Sequence, residues 1–370
     1  MLLLPLVVVV GPATACTTVM LPFADDDDQL LVARSMELGL PYSWMDAWKI
    51  NVWPRSEANA YGFVGVDFAR DAPVLPHPLL YGLCEGMNEH GLTVSTQTLH
   101  QASYERANPA RRDVRFSSFV ALVLGSCRNV ADVRVLLRHN VSIVGGDLAG
   151  QHWALADADG RAAIVECLNG NLYFHENVTD VGVLTNDPDY VWHLRHLNYY
   201  AAFPSSDPME TFAFPASSEI GVVPALLNRG AANLPGGYQP ADRFVKAFLL
   251  KKLAYGRDDA TKNLDFAVRL ATGILNAVHI PVGAVAKTSP TDFLEFTNWA
   301  VLKVPSQRLF YYRSYEDMQW KQLDLTAVDF SSPNYDPINV FDGSGIERIS
   351  FNNNNNIKNK VGGVTSLYES

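Results

Sequence analysis

The chain has 370 residues, of which 48% are hydrophobic, and it carries a formal net charge of -10 at pH 7. This length and apolar content are typical of a globular protein with one large domain or two small ones. The acidic balance argues against a nucleic-acid partner, which would need a cationic surface to neutralise its phosphates. Beyond the first residues no apolar run approaches the ~18 residues of a membrane-spanning helix, so we expect no membrane span.

Residues 1–15 have the pattern of a secretory signal peptide. Residues 2–10 form an apolar segment of suitable length, and Ala13 and Ala15 are small residues at the positions that a signal peptidase recognises. Cleavage after Ala15 would release a secreted protein that begins at Cys16. The expected location is therefore extracellular or periplasmic.

An N-terminal cysteine carries a nucleophile and a base on one residue. The thiol has an ordinary pKa of ~8.5, and the α-amine beside it has one of ~7.7 to 8.0. The neutral amine can accept the thiol proton directly or through a water, as in other N-terminal nucleophiles. While Cys16 is bonded to Ala15, its nitrogen is an amide and has no basicity. Removal of the leader would therefore activate the thiol.

Two other interpretations of this junction stay open. The cysteine is an incidental product of leader cleavage, or its thiol is lipidated as in a bacterial lipoprotein. Lipidation fits the sequence less well, because Ala13 stands where such a protein has Leu and the leader contains no Lys or Arg. The junction alone therefore does not decide between catalysis and an anchored binding protein.

The first predicted element after the leader is a β-hairpin. Residues 17–23 and 29–36 are β-prone, and the four aspartates between them most simply form a solvated turn. Since consecutive strands are usually neighbours, Arg34 and Glu37 are expected to return beside Cys16. A guanidinium there would favour the thiolate, and a carboxylate would orient the α-amine. A surface ion pair between Arg34 and Glu37 is the competing interpretation.

The rest of the chain alternates between predicted strands and helices. Further strands are predicted at residues 48–53, 61–68, 79–83, 93–98, 152–157, 161–168, 171–175, 181–186, 293–304, 309–313 and 320–325. Helices are predicted at residues 117–127, 130–139 and 190–202, after Pro240, and over the apolar stripe of residues 264–278. Antiparallel hairpins dominate, which favours two sheets covered by helices over a doubly wound nucleotide-binding fold.

The composition changes near the C-terminus. Beyond about residue 330 the chain is rich in Ser, Pro, Asn and Gly, and residues 352–356 are all Asn. Such a segment cannot bury enough apolar surface to offset its ordering entropy, so residues 331–370 are predicted to be a disordered tail. The predicted organisation is a leader (1–15), one domain (16–330) and this tail.

Other residues give weaker signals. His193 and His196 lie three apart on a predicted helix, but they lack a third ligand at suitable spacing and are interpreted as surface histidines. The acidic run at residues 25–28 lacks the spaced ligands of a calcium loop. Asn140 and Asn177 begin glycosylation sequons, which matter only in a eukaryotic source. The cysteines are too few and too scattered for a disulfide framework or a zinc site; they are Cys16, Cys84, Cys127 and Cys167.

Five short blocks follow one another along the chain. They are Cys16-Thr17, Arg34-Ser35-Met36-Glu37, residues 86–92 (GMNEHGL), residues 183–188 (VLTNDP) and residues 240–244 (PADRF). Together the blocks resemble the choloylglycine hydrolase family of N-terminal-nucleophile hydrolases, which includes bile salt hydrolases and penicillin V acylases. The resemblance runs from Cys16 to about Tyr315, and five blocks in the right order are far more specific than any one of them.

The resemblance implies an α+β fold, a four-layer αββα sandwich of two antiparallel sheets, and hydrolysis of a linear non-peptide amide without a metal or organic cofactor. Cys16 matches the nucleophile, Arg34 the arginine beside it, Asn186 an oxyanion-hole asparagine and Arg243 a second active-site arginine. Cys16 would form a thioester while Asn186 donates to the developing oxyanion. The α-amine would protonate the leaving amine and then activate water. Relatives are often tetrameric, which implies a possible homotetramer.

Two positions depart from the family pattern. Glu37 stands where the family usually has Asp, so its contact with the α-amine would have altered geometry. Thr98 stands where bile salt hydrolases place an oxyanion Asn and penicillin acylases an aromatic residue, and a backbone N–H there would have to serve instead. The substrate therefore stays open among conjugated bile acids, phenoxyacetyl penicillins, N-acyl homoserine lactones and fatty acyl amides. A binding protein that kept the fold but lost the chemistry is the rival hypothesis.

Overall fold

The computed structural model describes residues 14–23, 29–39, 42–68, 83–145, 150–200, 234–256, 261–285, 295–332 and 335–343. Its strands are β1 (Thr14–Phe23), β2 (Gln29–Leu38), β3 (Trp48–Trp53), β4 (Phe63–Phe68), β5 (Glu85–Asn88), β6 (Thr93–Thr98), β7 (Arg112–Arg115), β8 (Val141–Val144), β9 (Gln151–Ala156), β10 (Ala162–Leu168), β11 (Asn171–Glu176), β12 (Val183–Leu184), β13 (Thr297–Val304), β14 (Leu309–Ser314), β15 (Lys321–Asp324) and β16 (Ile338–Asn339). Its α-helices are α1 (Phe119–Ser126), α2 (Val130–Val135), α3 (Tyr190–His196), α4 (Pro240–Tyr255) and α5 (Leu264–Val278).

Two antiparallel sheets form the centre of the molecule. One has six strands in the order β12-β1-β2-β13-β14-β15, and the other has eight in the order β11-β10-β9-β6-β5-β4-β3-β16. The strands β7 and β8 form a separate parallel pair. The predicted pair of antiparallel sheets is confirmed, and β1 lies in the interior of its sheet, between β12 and β2.

Helices cover the outer faces of both sheets. Helix α1 packs against β5 and β6 of the eight-stranded sheet, and α4 and α5 pack against β1 of the six-stranded sheet. The outer core of the eight-stranded sheet includes Phe119, Val123, Val94, Trp153 and Leu155. The outer core of the six-stranded sheet includes Phe244, Ala271, Leu275, Leu21 and Leu31. The layers therefore follow the expected order of helix, sheet, sheet and helix.

A third apolar cluster fills the space between the sheets. Its residues on the six-stranded sheet include Cys16, Met36 and Trp299, and those on the eight-stranded sheet include Ile50, Val64 and Met87. Strand β13 is buried along its whole length, because one face meets the other sheet and the other face meets α5. A polar side chain on the inner face of this strand is therefore buried away from water.

The apolar stripe that predicted α5 is explained by its packing. Residues at 4-3-4-3 spacing lie on one side of a helix, and Ala271, Leu275 and Val278 are fully buried. The side chain of Asn263 caps the first turn by accepting a hydrogen bond from the backbone of Phe266. None of the helices within the described ranges is long and apolar enough to span a membrane.

Some predicted boundaries differ from the structure. Residues 338–339 form β16, which pairs with β3, and the side chains of Val340 and Phe341 are buried between the sheets. The domain therefore extends past the predicted limit at residue 330, because two apolar residues within a polar stretch are enough to fasten it to a sheet edge. The predicted leader up to residue 13, most of the predicted strand at 79–83 and the rest of the tail lie outside the described residues.

Candidate active site

The hairpin of β1 and β2 brings Arg34 to Cys16, as the sequence predicts. Cys16 pairs with Met36 and Thr18 pairs with Arg34, so Cys16 and Arg34 are diagonal neighbours on one face of the sheet. Arg34 Nη2 donates to Cys16 Sγ at 3.4 Å. Both side chains are buried, with 2% and 0% exposure. The alternative of a surface ion pair between Arg34 and Glu37 is therefore wrong.

Opposing effects act on the Cys16 thiol. Burial raises its pKa, because a thiolate loses solvation away from water. The guanidinium of Arg34 is the largest influence in the other direction, Glu37 raises the pKa further, and Arg243 lowers it. Together these effects leave the pKa of the thiol above its ordinary value.

Asn186 and Arg243 hold the backbone of Cys16. The Cys16 nitrogen donates to Asn186 Oδ1 at 2.6 Å. Arg243 donates to the same oxygen at 2.8 Å, to the Cys16 carbonyl at 2.6 Å and to Thr17 Oγ1 at 2.7 Å. Asn186 Nδ2 donates to the Thr98 carbonyl at 3.1 Å. With two donors on its oxygen, the Asn186 amide presents its NH2 group toward Thr98.

A buried polar network fixes the turn that carries Asn186. His193 Nε2 lies 2.9 Å from the Asn186 carbonyl, and His152 Nε2 lies 2.8 Å from the Thr185 carbonyl. Glu166 lies 2.8 Å from the other ring nitrogen of His152 and accepts from the backbone of Tyr190. Its contacts with His152 and other donors lower the pKa of Glu166 to about 2 despite burial. Asn186 is therefore held through its main chain as well as its side chain.

The interpretation of His193 as a surface histidine is wrong. Its side chain is fully buried and stacks on Phe244 with ring centroids 4.5 Å apart. Burial lowers its pKa to about 4. Tyr190, His193 and Leu197 lie on one helical face, and this spacing is the signal in the sequence that indicates an inward position.

Glu37 lies next to the Ala15–Cys16 peptide, where the sequence predicts it. It pairs with Ala15 across the hairpin and accepts from Thr297 Oγ1 at 2.9 Å. Burial raises the pKa of its carboxyl, and Arg243 is the strongest opposing influence. Its Oε2 atom is buried without a hydrogen-bond partner among the described residues. The contact between Glu37 and an α-amine stays a prediction, because the Cys16 nitrogen here is an amide that donates to Asn186.

Thr98 reaches the site through its main chain. Its side chain is buried, and its carbonyl oxygen accepts from Asn186 Nδ2. The role of a Thr98 backbone N–H as an oxyanion donor stays a prediction. No group of three or more His, Cys, Asp or Glu residues in the described part of the chain is placed to hold a metal ion.

Sequence analysis did not single out Glu295, a second carboxylate at this junction. The residue precedes β13 and is only 7% exposed. Burial raises its pKa to about 7; Arg243 opposes the shift, Glu37 adds to it, and a backbone hydrogen bond from Ala15 opposes it. Two carboxyl groups, Glu37 and Glu295, therefore flank the Ala15–Cys16 peptide. No local pattern marks Glu295, because an isolated Glu in a predicted strand usually faces solvent.

Replacing Glu295 with Gln is expected to change how stability depends on pH. A folded-state pKa near 7, against an ordinary 4.5, means that the folded protein retains a proton that the unfolded chain releases between these values. The associated stability is complete below about pH 4.5 and is lost as the pH rises through 7. The difference amounts to about 3 kcal/mol. Melting temperatures between pH 5 and 8 should therefore fall more steeply for the wild type than for Glu295→Gln.

The control for this comparison is Glu57→Gln. Glu57 is exposed, so its replacement should leave the pH dependence of melting unchanged. Parallel melting curves for the wild type and Glu295→Gln would show that Glu295 ionises normally in the folded protein.

Comparisons with known proteins agree with this geometry. The family model described as linear amide C–N hydrolases, choloylglycine hydrolase family, matches residues 16–339. The bile salt hydrolase/transferase of Clostridium perfringens is 26% identical over 263 residues, which cover 68% of this chain and 74% of the relative. The penicillin V acylase of Pectobacterium atrosepticum is 23% identical over 344 residues, with 86% and 82% covered.

The architecture is also shared with a solved structure. A crystal structure of a variant of conjugated bile acid hydrolase from Clostridium perfringens superposes with a TM-score of 0.72 at 21% identity, covering 90% of this chain and all of that one. This likeness confirms the predicted sandwich. The family match extends over most of the chain and contains all five sequence blocks. The chain therefore belongs to the choloylglycine hydrolase family of linear amide C–N hydrolases.

Proposed function

We propose that this protein is a secreted N-terminal-cysteine amidase that cleaves the linear amide of an N-acyl substrate through a thioester on Cys16. One observation carries the proposal. The sulfur and the backbone nitrogen of Cys16 are each held by a separate predicted site residue, Arg34 at 3.4 Å and Asn186 at 2.6 Å. This arrangement suits a residue whose thiol and amine act together.

Removal of residues 1–15 is the activating step in this proposal. Hydrolysis of the Ala15–Cys16 peptide would convert the nitrogen held by Asn186 from an amide to an amine. The match to the family model begins at Cys16, which supports this position for the mature N-terminus. The apolar leader supports secretion, because its length and small terminal residues fit signal-peptidase processing.

The proposed chemistry uses these groups in sequence. The amine takes the thiol proton, the thiolate attacks the substrate carbonyl, and Asn186 Nδ2 donates to the oxygen that becomes negative. The ammonium protonates the leaving nitrogen, the carbon–nitrogen bond breaks, and a thioester remains on Cys16. A water that loses a proton to the free amine attacks the thioester, releasing the carboxylic acid and the thiol. Arg243 keeps Asn186 and the Cys16 carbonyl in register throughout.

The acyl group of the substrate is proposed to be apolar. Cys16 Sγ lies 3.7 Å from the Met36 sulfur, and both residues belong to the apolar cluster between the sheets, which also contains Trp299. The named relatives act on bile salts or penicillin V, so both classes are first candidates. N-acyl homoserine lactones and fatty acyl amides fit the same chemistry.

The test begins with the N-terminus of the protein secreted from a host that expresses the full chain. We expect N-terminal sequencing and intact mass to give a chain that starts at Cys16. Incubation with glycocholate, phenoxymethylpenicillin and a long-chain N-acyl homoserine lactone should then yield, for at least one substrate, free acid and a transient acyl mass on the Cys16 peptide. A retained leader, or a lipid on Cys16 without acyl-enzyme, would favour the binding-protein hypothesis instead.

A further inference from the structure

A pair of opposite charges lies sealed between the two sheets, behind the catalytic arginine. Glu85 on β5 and Lys303 on β13 are both fully buried and form a direct ion pair. Ser95 Oγ lies 2.8 Å from Lys303 Nζ and 3.2 Å from Glu85 Oε1, so it bridges the two groups. The pair joins the eight-stranded sheet to the six-stranded sheet at the level of the active site.

The same carboxylate also contacts Arg34. Glu85 Oε2 lies 3.5 Å from Arg34 Nε. On the same guanidinium, Nη2 donates to the Thr96 carbonyl at 2.6 Å and to Cys16 Sγ at 3.4 Å. The guanidinium lies 4.9 Å from the centre of the Trp299 ring. Arg34 therefore contacts both Glu85 and the proposed nucleophile, and the Trp299 ring lies beside it.

Three charged residues, Arg34, Lys303 and Glu85, lie together in this cluster. Burial lowers the pKa of Lys303, and the carboxylate of Glu85 opposes that shift. With Lys303 protonated, two positive charges face the one negative charge of Glu85, which leaves one buried positive charge among these three residues. A buried unpaired charge is costly. Cys16 is the adjacent group that can supply the missing negative charge, since its sulfur touches Arg34. Cys84 also lies near Arg34, and burial raises its pKa to about 12. Burial raises the pKa of Cys16 as well, but the Cys16 sulfur accepts a hydrogen bond from Arg34.

The carboxylate of Glu37 also acts on this site, because it raises the pKa values of both Arg34 and the Cys16 thiol. Glu37 on β2 and Arg243 on α4 act on the thiol with opposite signs. Glu295 also faces Arg243 and Glu37. Lys303 therefore supplies the positive charge that offsets Glu85 beside Arg34. Without Lys303, Arg34 and Glu85 would neutralise each other and the thiol would gain little from the arginine.

We propose that Glu85 and Lys303 are positioning residues: Glu85 fixes the Arg34 guanidinium against Cys16, and Lys303 compensates Glu85 so that the charge of Arg34 remains available to the thiolate. This inference rests on the proposed function, in which Cys16 is the nucleophile. A purely structural role would not explain why an ion pair lies here, because well-packed apolar residues stabilise an interior as well as or better than a buried ion pair does.

The experiment is a thiolate titration, followed by absorbance at 240 nm, of the processed protein and three variants. Each signal is corrected with the same protein carrying Cys16→Ala. The remaining cysteines do not interfere, because burial raises the pKa values of Cys84, Cys127 and Cys167 to about 12, 11 and 12. No substrate is needed for this measurement.

The three variants are expected to shift the Cys16 pKa in different directions. Lys303→Met removes the compensating charge and should raise the Cys16 pKa by about one unit, a tenfold smaller thiolate fraction below that pKa. Glu85→Gln should lower the pKa. The double variant has the same net charge as the wild type and should return the pKa to within a few tenths of a unit of the wild-type value. Opposite shifts that cancel in the double variant are a result that loss of packing cannot produce.

Two results would overturn the proposal. One is a set of titration curves that coincide while near-ultraviolet circular dichroism shows folded variants. The other is a pKa that rises in both single variants and rises again in the double variant, which would indicate general loosening. If Lys303→Met does not fold, the other variants still test the proposal. Glu85→Gln should lower the Cys16 pKa below that of the wild type, and the double variant should return it to the wild-type value. Opposite shifts in a protein that hydrolyses no tested amide would refute the proposed activity and leave the charge coupling in place.

Discussion

Replacing Cys16 with alanine is expected to abolish hydrolysis of every amide that the wild-type protein cleaves. In the proposed mechanism the sulfur forms the thioester, and the loss of a covalent nucleophile typically lowers kcat by at least about a thousandfold. The fold should survive, because Cys16 is a small residue whose removal leaves only a small cavity between the sheets. We would measure release of the free acid by chromatography and melting by circular dichroism on the same preparations.

A second buried cysteine provides the control for this substitution. Cys167 on β10 is also completely buried, but it belongs to the core beneath α1 and α2, away from Cys16. Cys167→Ala should therefore lower the melting temperature by a comparable amount while retaining wild-type turnover. Activity that persists in Cys16→Ala at the wild-type level would assign the chemistry to another residue and remove the basis of the proposed mechanism.

Local sequence determines the part of the site that could be predicted. A short turn between two β-prone segments leaves few ways to pair them, and the observed register puts Arg34 diagonally across from Cys16. Asn186 could be recognised because it follows a strand and precedes a helix, where side chains are commonly presented to a cleft. The position of Arg34 is fixed by residues close together in the chain, whereas the partners of Asn186, which are Cys16, Thr98 and Arg243, are distant in sequence.

Long-range contacts explain what the sequence did not reveal. Lys303 meets Glu85 across 218 positions of sequence, and the two come from different sheets. A lone Lys in an apolar strand is consistent with an edge position as much as with a buried ion pair, so nothing local identifies it. The environments of Glu295 and β16 also depend on contacts that are distant in sequence. Glu295 lies near Ala15 and Glu37, and β16 pairs with β3.

The contacts of the second arginine also lie beyond what the sequence predicts. The resemblance places Arg34 beside Cys16, but it names Arg243 only as a second active-site arginine. In the structure Arg34 contacts Sγ, whereas Arg243 contacts the main chain of Cys16 and the side chain of Asn186. One arginine therefore contacts the Cys16 sulfur and the other contacts the groups around it, as their positions on β2 and α4 require.

Replacing Asn186 with alanine is expected to lower kcat by about 10²- to 10³-fold, the usual cost of losing one oxyanion donor. The KM should change much less, because the donor acts mainly on charge that develops in the transition state. Asn186→Asp should be at least as damaging. A carboxylate would keep the shape and still accept from Cys16 and Arg243, but it would place an acceptor where the Nδ2 donor now lies.

The comparison needs a buried asparagine with a purely structural role, and Asn88 provides one. Its side chain is completely buried and donates to the carbonyls of Leu124 and Cys127 at 3.0 and 2.7 Å, so its removal also leaves unpaired polar groups. Asn88→Ala should reduce the melting temperature as much as Asn186→Ala does, with kcat retained at temperatures where the variant is folded. Equal loss of kcat in the two variants would mean that Asn186 supports the fold rather than the oxyanion. A selective loss of kcat in Asn186→Ala, deeper still in Asn186→Asp, would support a donor role for the NH2 group in the reaction.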